Sequence, residues 1–362
     1  MDWPRPNALN YRGRQTDLPA WAGRILRERG VTDVFMLSEW RPCHSDTVKL
    51  AKSLGINVHV FEEGYLRPHY ITLERDGVNG ASPLPREHSE ILQLARQNSE
   101  HTPPQPLPAH SKQLTRRTVM YLVARYALFP LYPFSKTHRP YSGFSEYVLG
   151  WIPRLFGEKR RHKDAEETLE KLYSTGKPFF LFPLQVDADA QVRRYSPFSN
   201  MPEAICHIVT SFAKSAPKDY ALLIKNHPLD CGLIDYARYV KSLAKALDME
   251  NRVFFVEAGN SSQMIKDSLG LVLLNSTMGL SALQEGKPVY YLGRAICSIP
   301  GLGVTPSETS LDDYWHNPRA ADQSLLNAFI RVLQQQALLN GDFHSREGQD
   351  MAIQNVIERI GA

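Results

Sequence analysis

The chain has 362 residues, enough for two domains that each have a hydrophobic core. Apolar residues make up 43% and charged residues 22%, which excludes a globally disordered protein. The formal net charge of +4 is too small to indicate nucleic-acid binding by itself. The four cysteines, at positions 43, 206, 231 and 297, include no CxxC pair, so we expect neither a zinc site nor a disulfide framework.

The N-terminal residues 1–15 are polar and contain prolines, so they lack the apolar core of a secretory signal peptide. No run of about 18 apolar residues occurs, and we expect no membrane-spanning helix. These features predict a soluble cytoplasmic protein whose cysteines are free thiols. If this protein acts at a membrane, the chain is expected to lie on the membrane surface.

Helix and strand patterns alternate through the first third of the chain. Helical spacing occurs at 21–29 and 46–55, and short apolar strand patterns occur at 31–37 and 56–64. Strands that alternate with helices imply a parallel sheet with short crossovers. We therefore expect a Rossmann-like domain over residues 1–105.

A proline-rich break at 101–111 precedes an unusual segment, residues 112–163, which is rich in Lys, Arg and aromatic residues. Its acids are Glu146 and Glu158. One interpretation is a basic, aromatic surface that faces anionic lipid. The other is a helical segment between domains, with a buried aromatic side and a solvated charged side. We assign it to residues 106–170.

A second α/β pattern begins near residue 177, and its elements alternate almost strictly. Strands are expected within 177–185, 220–228, 252–259, 271–277 and 288–293, and helices within 200–217, 236–249, 261–270 and 278–286. This alternation is typical of a doubly wound sheet, here over residues 171–320, and two helices are expected at 321–362. The whole chain is therefore predicted to be α/β, with two Rossmann-like domains facing across a cleft.

Two adjacent acids, Glu62 and Glu63, end the second predicted strand. Neighbouring like charges raise one pKa, so one of them suits a general acid or base. Gly64 permits a tight turn, and Arg67 could hold an anionic substrate by two hydrogen bonds.

A second acidic motif, Gln185-Val186-Asp187-Ala188-Asp189-Ala190-Gln191, follows the strand at 177–185. A carboxylate there could attack an anomeric carbon or stabilise an oxocarbenium ion. The alternatives are Mg²⁺ binding by Asp187 and Asp189, for which no third ligand is evident, and an ordinary Asp-rich turn.

Two further motifs suit phosphate. Lys225-Asn226-His227-Pro228 follows a strand, and its cationic and hydrogen-bonding side chains could bind a phosphate that His227 also protonates. Asn275-Ser276-Thr277-Met278-Gly279 opens a predicted helix, where free amide N–H groups attract anions. Either motif could instead be a structural turn or helix cap.

The motifs together resemble the bacterial capsule polysaccharide biosynthesis and export proteins of the KpsS/LipB type. The resemblance rests on FEEGYLRP, on residues 70–82 and 183–196, on KNHP, and on residues 275–293. It implies a GT-B glycosyltransferase that retains configuration at the transferred sugar. Such an enzyme uses CMP-β-Kdo and adds the first Kdo of the capsule linker to a lyso-phosphatidylglycerol acceptor.

The resemblance also implies roles for individual residues. Either Glu62 or Glu63 is the acid/base, Asp189 is the nucleophile with Asp187 as the second choice, and His227 contacts the CMP phosphate, as in the similar GT-B sialyltransferases. Ser276 and Thr277 are expected at the CMP phosphate or the Kdo carboxylate. The remaining expected binding residues are Arg67, Gln185, Arg193, Lys225, Pro228, Asn275 and Gly279, and Arg194 adds positive charge.

We expect no metal and no cofactor besides the donor substrate. The expected location is the inner face of the bacterial inner membrane, with capsule assembly or export proteins as partners and no nucleic acid. Two alternatives remain. One is a GT-B transferase that uses CMP-sialic acid or a UDP-sugar, and the other is a non-enzymatic accessory protein of capsule export.

Overall fold

The computed structural model describes residues 7–41, 43–97, 103–107, 120–121, 123–134, 144–187 and 189–361. The chain forms two compact units. The first unit comprises Met1–Leu84, Asn98–His138 and Arg331–Ala362, and the second comprises Pro85–Gln97 and Arg139–Ile330. The units are thus interleaved along the sequence, whereas the predicted blocks 1–105, 106–170, 171–320 and 321–362 are consecutive.

Nine strands lie within the described part of the chain. They are β1 (Asp33–Leu37), β2 (Asn57–Glu63), β3 (Tyr70–Arg75), β4 (Phe179–Pro183), β5 (Ala221–Lys225), β6 (Val253–Val256), β7 (Gly270–Leu273), β8 (Val289–Tyr291) and β9 (Leu338–Asn340). All strands expected from the apolar patterns are present. Strands β3 and β9 are additional to those expectations.

Residues 120–121 and 123–127 are helical, and the other α-helices over the same residues are numbered in chain order. They are α1 (Leu18–Glu28), α2 (Ser45–Ser53), α3 (His88–Gln97), α4 (Ile152–Phe156), α5 (Glu158–Ser174), α6 (Ala190–Tyr195), α7 (Met201–Ser215), α8 (Tyr236–Ala246), α9 (Ser261–Asp267), α10 (Met278–Gln284), α11 (Leu311–Tyr314), α12 (Gln323–Gln336) and α13 (Arg346–Ile360). A π-helical segment, Ser145–Trp151, leads into α4. No helix in these ranges combines the length and apolar character needed to cross a bilayer.

The first unit contains a mixed four-stranded sheet in the order β1-β2-β3-β9. Strands β1 and β2 are parallel, but β2 with β3 and β3 with β9 are antiparallel. The expectation of a parallel sheet is therefore wrong beyond the first pair. Only residues 64–69 connect β2 to β3, which is too short for the crossover that parallel neighbours require.

The second unit contains a five-stranded parallel sheet in the order β6-β5-β4-β7-β8, as expected for a doubly wound domain. Its strands are almost entirely buried, which is typical of a parallel sheet covered on both faces. Helix α7 packs Ile205, Ile208 and Phe212 into the same core as Trp315. Strand order reverses between β4 and β7, so the loops after these two strands flank the topological switch point.

Candidate functional site

The two loops at the switch point are held together by a pair of amide side chains. Gln185 follows β4 and donates from Nε2 to Oδ1 of Asn275, which follows β7, at 2.9 Å. The Asn275 backbone N–H donates back to Gln185 Oε1 at 3.2 Å, and Asn275 Nδ2 donates to the Gln191 carbonyl at 2.7 Å. Both side chains are buried. Their hydrogen-bonding groups therefore fix the shape of this edge of the sheet.

Asp187 is a buried carboxylate whose two oxygens are engaged within the protein. Oδ1 accepts the Met201 backbone N–H at 2.8 Å, at the first residue of α7. Oδ2 accepts from Arg193 Nη2 at 3.2 Å, and Arg193 Nε donates to the Asp187 carbonyl at 3.1 Å. Two of the predicted binding residues thus bind each other, and Asp187 anchors a helix.

Asp189 has a different environment from Asp187, although it is only two residues away. It caps α6 through Oδ1, which accepts the Gln191 backbone N–H at 2.9 Å. The residue is exposed, yet desolvation by its surroundings raises the pKa of the carboxyl, and the bond from the Gln191 backbone N–H opposes this shift. No group in the described residues donates to Oδ2. Asp189 can therefore present one carboxylate oxygen to a ligand.

The Lys225-Asn226-His227-Pro228 motif lies at the carboxyl end of β5. Lys225 is buried, its Nζ donates to the Asn226 carbonyl at 3.4 Å, and burial lowers its pKa. The His227 backbone N–H donates to Asn226 Oδ1 at 2.8 Å. His227 Nδ1 accepts the Leu229 backbone N–H at 3.0 Å, so the neutral ring carries its proton on Nε2.

Two residues of the motif, Lys225 and Pro228, line a cavity of about 310 Å³ within the second unit, and His227 lies beside it. The other lining residues are Trp151, Arg154, Leu155, Glu158, Arg161, His162, Glu257, Ala258 and Gly259. Arg154 and Arg161 approach Glu257 Oε2 at 3.0 Å and 3.2 Å, and Arg154 also pairs with Asp230 at 3.5 Å. No ion pair to Lys225 occurs within the described ranges. The cavity thus contains a buried cation that has no countercharge of its own.

This ion-pair network was not predicted from the sequence. Asp230 also accepts from Asn226 Nδ2 at 3.1 Å, so the network reaches the motif directly. Burial raises the pKa values of Asp230 and Glu257, and the neighbouring arginines oppose both shifts. Arg154 and Arg161 lie within the basic segment, and only the tertiary structure brings them to β5 and β6.

The motif at the end of β7 caps a short helix. Ser276 Oγ accepts the Met278 backbone N–H at 3.2 Å, so one of the amide groups expected to attract an anion is already engaged. Thr277 makes no hydrogen bond from its side chain to the helix. A Cβ atom at Gly279 would collide with the Tyr291 ring, which explains the glycine by packing.

The acids Glu62 and Glu63 lie in the first unit, as the last two residues of β2. Successive strand residues point to opposite faces of the sheet, so the two carboxylates cannot share a proton. Glu62 is on the face of Val58 and Val60, which pack with α2. Glu63 is on the other face, with Phe61.

Glu63 is hydrogen-bonded to a residue that was not predicted from the sequence. Its Oε1 lies 3.1 Å from Nε2 of His344, which precedes α13. The hydrogen bond from His344 and the nearby Arg67 lower the pKa of Glu63, whereas burial and Asp342 oppose the shift. The raised pKa that was expected for one acid of the pair is therefore not that of Glu63.

The loop that carries His344 is fixed by Asp342. Asp342 Oδ1 accepts the backbone N–H groups of His344 and Ser345, each at 2.6 Å. Ser345 in turn caps α13 by accepting the Gly348 backbone N–H at 2.8 Å. On the Glu63 side of its contact with His344, the turn after β2 requires glycine, because a Cβ atom at Gly64 would collide with the Tyr70 carbonyl.

The predicted site residues are thus divided between the units. Glu62, Glu63 and Arg67 belong to the first, and the others belong to the second. Within the described ranges, no group of three or more His, Cys, Asp or Glu side chains could hold a metal ion. Metal independence stays a prediction.

Comparison with known proteins identifies relatives over most of the chain. The family model "Capsule polysaccharide biosynthesis protein" matches residues 32–344. The capsule polysaccharide modification protein LipB of Neisseria meningitidis serogroup A is 33% identical over 337 residues, which cover 91% of this chain and 78% of LipB. The capsule polysaccharide export protein KpsS of Escherichia coli is 28% identical over 340 residues, covering 93% and 85%.

Among solved structures, the β-Kdo 2,7-transferase KpsC of Thermosulfurimonas dismutans superimposes with a TM-score of 0.46 at 16% identity. The superposition covers 94% of this chain and 89% of that one. The matched family model spans the strands, the acidic motifs and His344. The chain belongs to the capsule polysaccharide biosynthesis protein family.

Proposed function

We propose that this protein is a retaining β-Kdo transferase of the GT-B type. It uses CMP-β-Kdo to add the first Kdo of a capsule linker to a lyso-phosphatidylglycerol acceptor. Membership of the capsule polysaccharide biosynthesis family supports a role in making the capsule polysaccharide. The similarity of the acidic, KNHP and NSTMG motifs to the KpsS/LipB type suggests the donor and acceptor.

The buried ammonium of Lys225 is the observation that carries the proposal. A buried cation without a countercharge is unfavourable until an anion reaches it. The adjacent cavity of about 310 Å³ is within the size range of small-molecule pockets, and the His227 ring is at the same strand end. The donor phosphate is an anion of suitable size and charge, so we assign it to Lys225 and His227.

Asp189 is the proposed nucleophile. Its carboxylate attacks the anomeric carbon of Kdo as the bond to the CMP phosphate breaks, and the acceptor hydroxyl then displaces Asp189 with a second inversion. The oxygen that does not cap α6 is available for this attack. Asp187 is the weaker candidate because both of its oxygens are engaged.

Glu63 is the proposed base that takes the proton of the acceptor hydroxyl. His344 lowers its pKa, so the carboxylate is ionised at neutral pH and can accept a proton. A lipid acceptor also implies that the protein works at the inner face of the cytoplasmic membrane, as a peripheral protein.

The direct test is to incubate the purified full-length chain with CMP-Kdo and a fluorescent lyso-phosphatidylglycerol, followed by mass spectrometry. We expect a product with one added Kdo. Product formation with CMP-sialic acid or a UDP-sugar instead would indicate the other transferase. Lipid binding that is independent of CMP, without any product, would indicate an accessory protein.

The Lys225 assignment has its own test, the affinity for CMP measured by calorimetry. Lys225→Met removes a charged hydrogen bond, for which we expect roughly 10–100-fold weaker binding. The control Lys241→Met changes an exposed lysine of α8 and should leave the affinity unchanged. Because burial lowers the pKa of Lys225, CMP binding should weaken at a lower alkaline pH than for an exposed lysine. Equal affinities of wild type and Lys225→Met would remove the assignment.

A further inference from the structure

The helical segment Ser145–Phe156, made of the π-helical residues and α4, has its polar side turned inward. Glu146, Gly150 and Arg154 are spaced four residues apart and therefore share one side of the segment. Glu146 is only 5% exposed, and a Cβ atom at Gly150 would lie 2.7 Å from the Cys231 carbonyl. Arg154 pairs with Asp230, which is buried, and with Glu257, which is half-buried. This side is docked on the second unit.

The opposite side of the segment is apolar and faces outward. Leu149 is 59% exposed, Ile152 45% and Phe156 89%, and Leu155, which is 66% exposed, lies at the border of this side, next to the cavity. A surface helix of a globular protein normally buries its apolar stripe and exposes its charges. Here the pattern is inverted. An exposed apolar patch of this kind marks an interaction surface.

Exposed cations follow this apolar side directly. Helix α5 begins at Glu158, and Lys159, Arg160 and Lys163 are exposed in its first two turns. Arg160 and Lys163 pair with acids within α5 at 3.6 Å and 3.7 Å, in solvated i,i+4 pairs that are weak. Apolar side chains flanked by Lys and Arg are the combination by which a helix lies in the interface of an anionic bilayer.

We propose that Ser145–Phe156 is an interfacial membrane helix. Leu149, Ile152 and Phe156 insert among the acyl chains, and Lys159 and Arg160 bind anionic headgroups. The charge of the flanking residues favours anionic lipid over an apolar protein partner. The inference deepens the proposed function, because a lipid acceptor is presented at such a surface.

The test is flotation of the full-length chain with vesicles, without donor or acceptor. We expect binding to vesicles that contain phosphatidylglycerol, weaker binding to phosphatidylcholine alone, and a decrease with salt. The double variant Leu149→Ser with Phe156→Ser should bind these vesicles at least roughly tenfold more weakly than the wild type. Lys159→Gln with Arg160→Gln should lose the preference for anionic lipid.

Ile353→Ser is the matched control, since Ile353 is 57% exposed on α13 and lies outside the segment. It should bind vesicles as the wild type does. Thermal unfolding checks that each variant is folded, which we expect because the replaced side chains are exposed.

Undiminished flotation of the folded Leu149/Phe156 variant, or no flotation of the wild type, would overturn the inference. A mass change of that variant in light scattering, without a change in flotation, would instead assign the surface to a second copy of the chain. Transfer to a short-chain, water-soluble acceptor is measured in parallel. If only this transfer fails, the result counts against the proposed function and does not affect the proposal of a membrane helix.

Discussion

At the scale of residues, Asp187 and Asp189 show how environment separates two identical side chains. Asp187 is buried between the Met201 amide and Arg193, and Asp189 keeps one oxygen free of protein donors in the described residues. The sequence placed both at the end of β4. It could not tell them apart, because the partners of Asp187 depend on how α7 packs beside β4.

The two aspartates therefore predict opposite phenotypes. Asp189→Asn retains a side chain that can cap α6 but loses the nucleophile, so transfer should fall at least about 10³-fold with unchanged thermal stability. Asp187→Asn breaks the pair with Arg193 and should lower stability by about 1–3 kcal/mol. Product formation by mass spectrometry and thermal unfolding measure the two effects. Normal activity of Asp189→Asn would exclude it as the nucleophile.

Glu63 and Glu62 form the second residue-scale comparison. Glu63→Gln removes the proposed base and should lower kcat by about 10²–10⁴-fold. Glu62→Gln, on the opposite face of the sheet, is the matched control and should have little effect. Equal losses in the two variants would contradict the assignment of Glu63.

The pH profile tests the contact with His344. A base must be ionised, and the hydrogen bond from His344 lowers the pKa of Glu63. The wild type should therefore remain active at acidic pH. In His344→Gln the pKa of Glu63 rises toward its ordinary value. Activity should then be lost at a higher pH as the solution is acidified, measured as kcat/KM against pH. An unchanged acidic limb would show that His344 does not tune Glu63.

At the scale of elements, the last two elements complete the first unit. Strand β9 pairs with β3, and α13 contributes Ala352 to a core cluster with Ile71, Leu73 and Leu339. The tail that was predicted as two helices contains α12 and α13. The short strand β9 between them was not expected, because three residues carry no detectable period.

A chain that ends at Gln336 lacks β9, His344 and α13. This truncation exposes the edge of β3 and one face of the sheet. The free energy of unfolding that is lost is comparable to the whole stability of a domain, about 5–15 kcal/mol. We expect hydrogen exchange to show loss of protection in β1–β3 and retained protection in β4–β8, which have a separate core. A chain that lacks only residues 361–362 is the control. Full protection of β1–β3 after truncation would contradict this role of the tail.

At the scale of the whole molecule, the interleaving of the two units is a tertiary property. Both ends of the chain contribute to the first unit, and α12 contains residues of both units. Composition and periodicity are local quantities, so they divide a sequence into consecutive blocks. They contain no information about which distant segment completes a sheet.

The sequence by itself determined the α/β class and the elements of the second unit. Its strands are continuous apolar runs and its helices have clear amphipathic spacing and caps, such as Asn200, which accepts the Glu203 amide. It also placed the KNHP and NSTMG motifs at strand ends, because parallel strands order their loops along one edge.

Only the tertiary structure decided the mixed sheet, the pairing of Glu63 with His344, and the network of Arg154 and Arg161 around Glu257. The β3–β9 pairing of the sheet, the Glu63 contact and the arginine network each join residues far apart in the chain. Their contact energies, and the pKa of Glu63, depend on distances of a few ångströms that local sequence patterns do not encode. The inward direction of the polar side of Ser145–Phe156 is likewise set by the packing of this segment on the rest of the second unit.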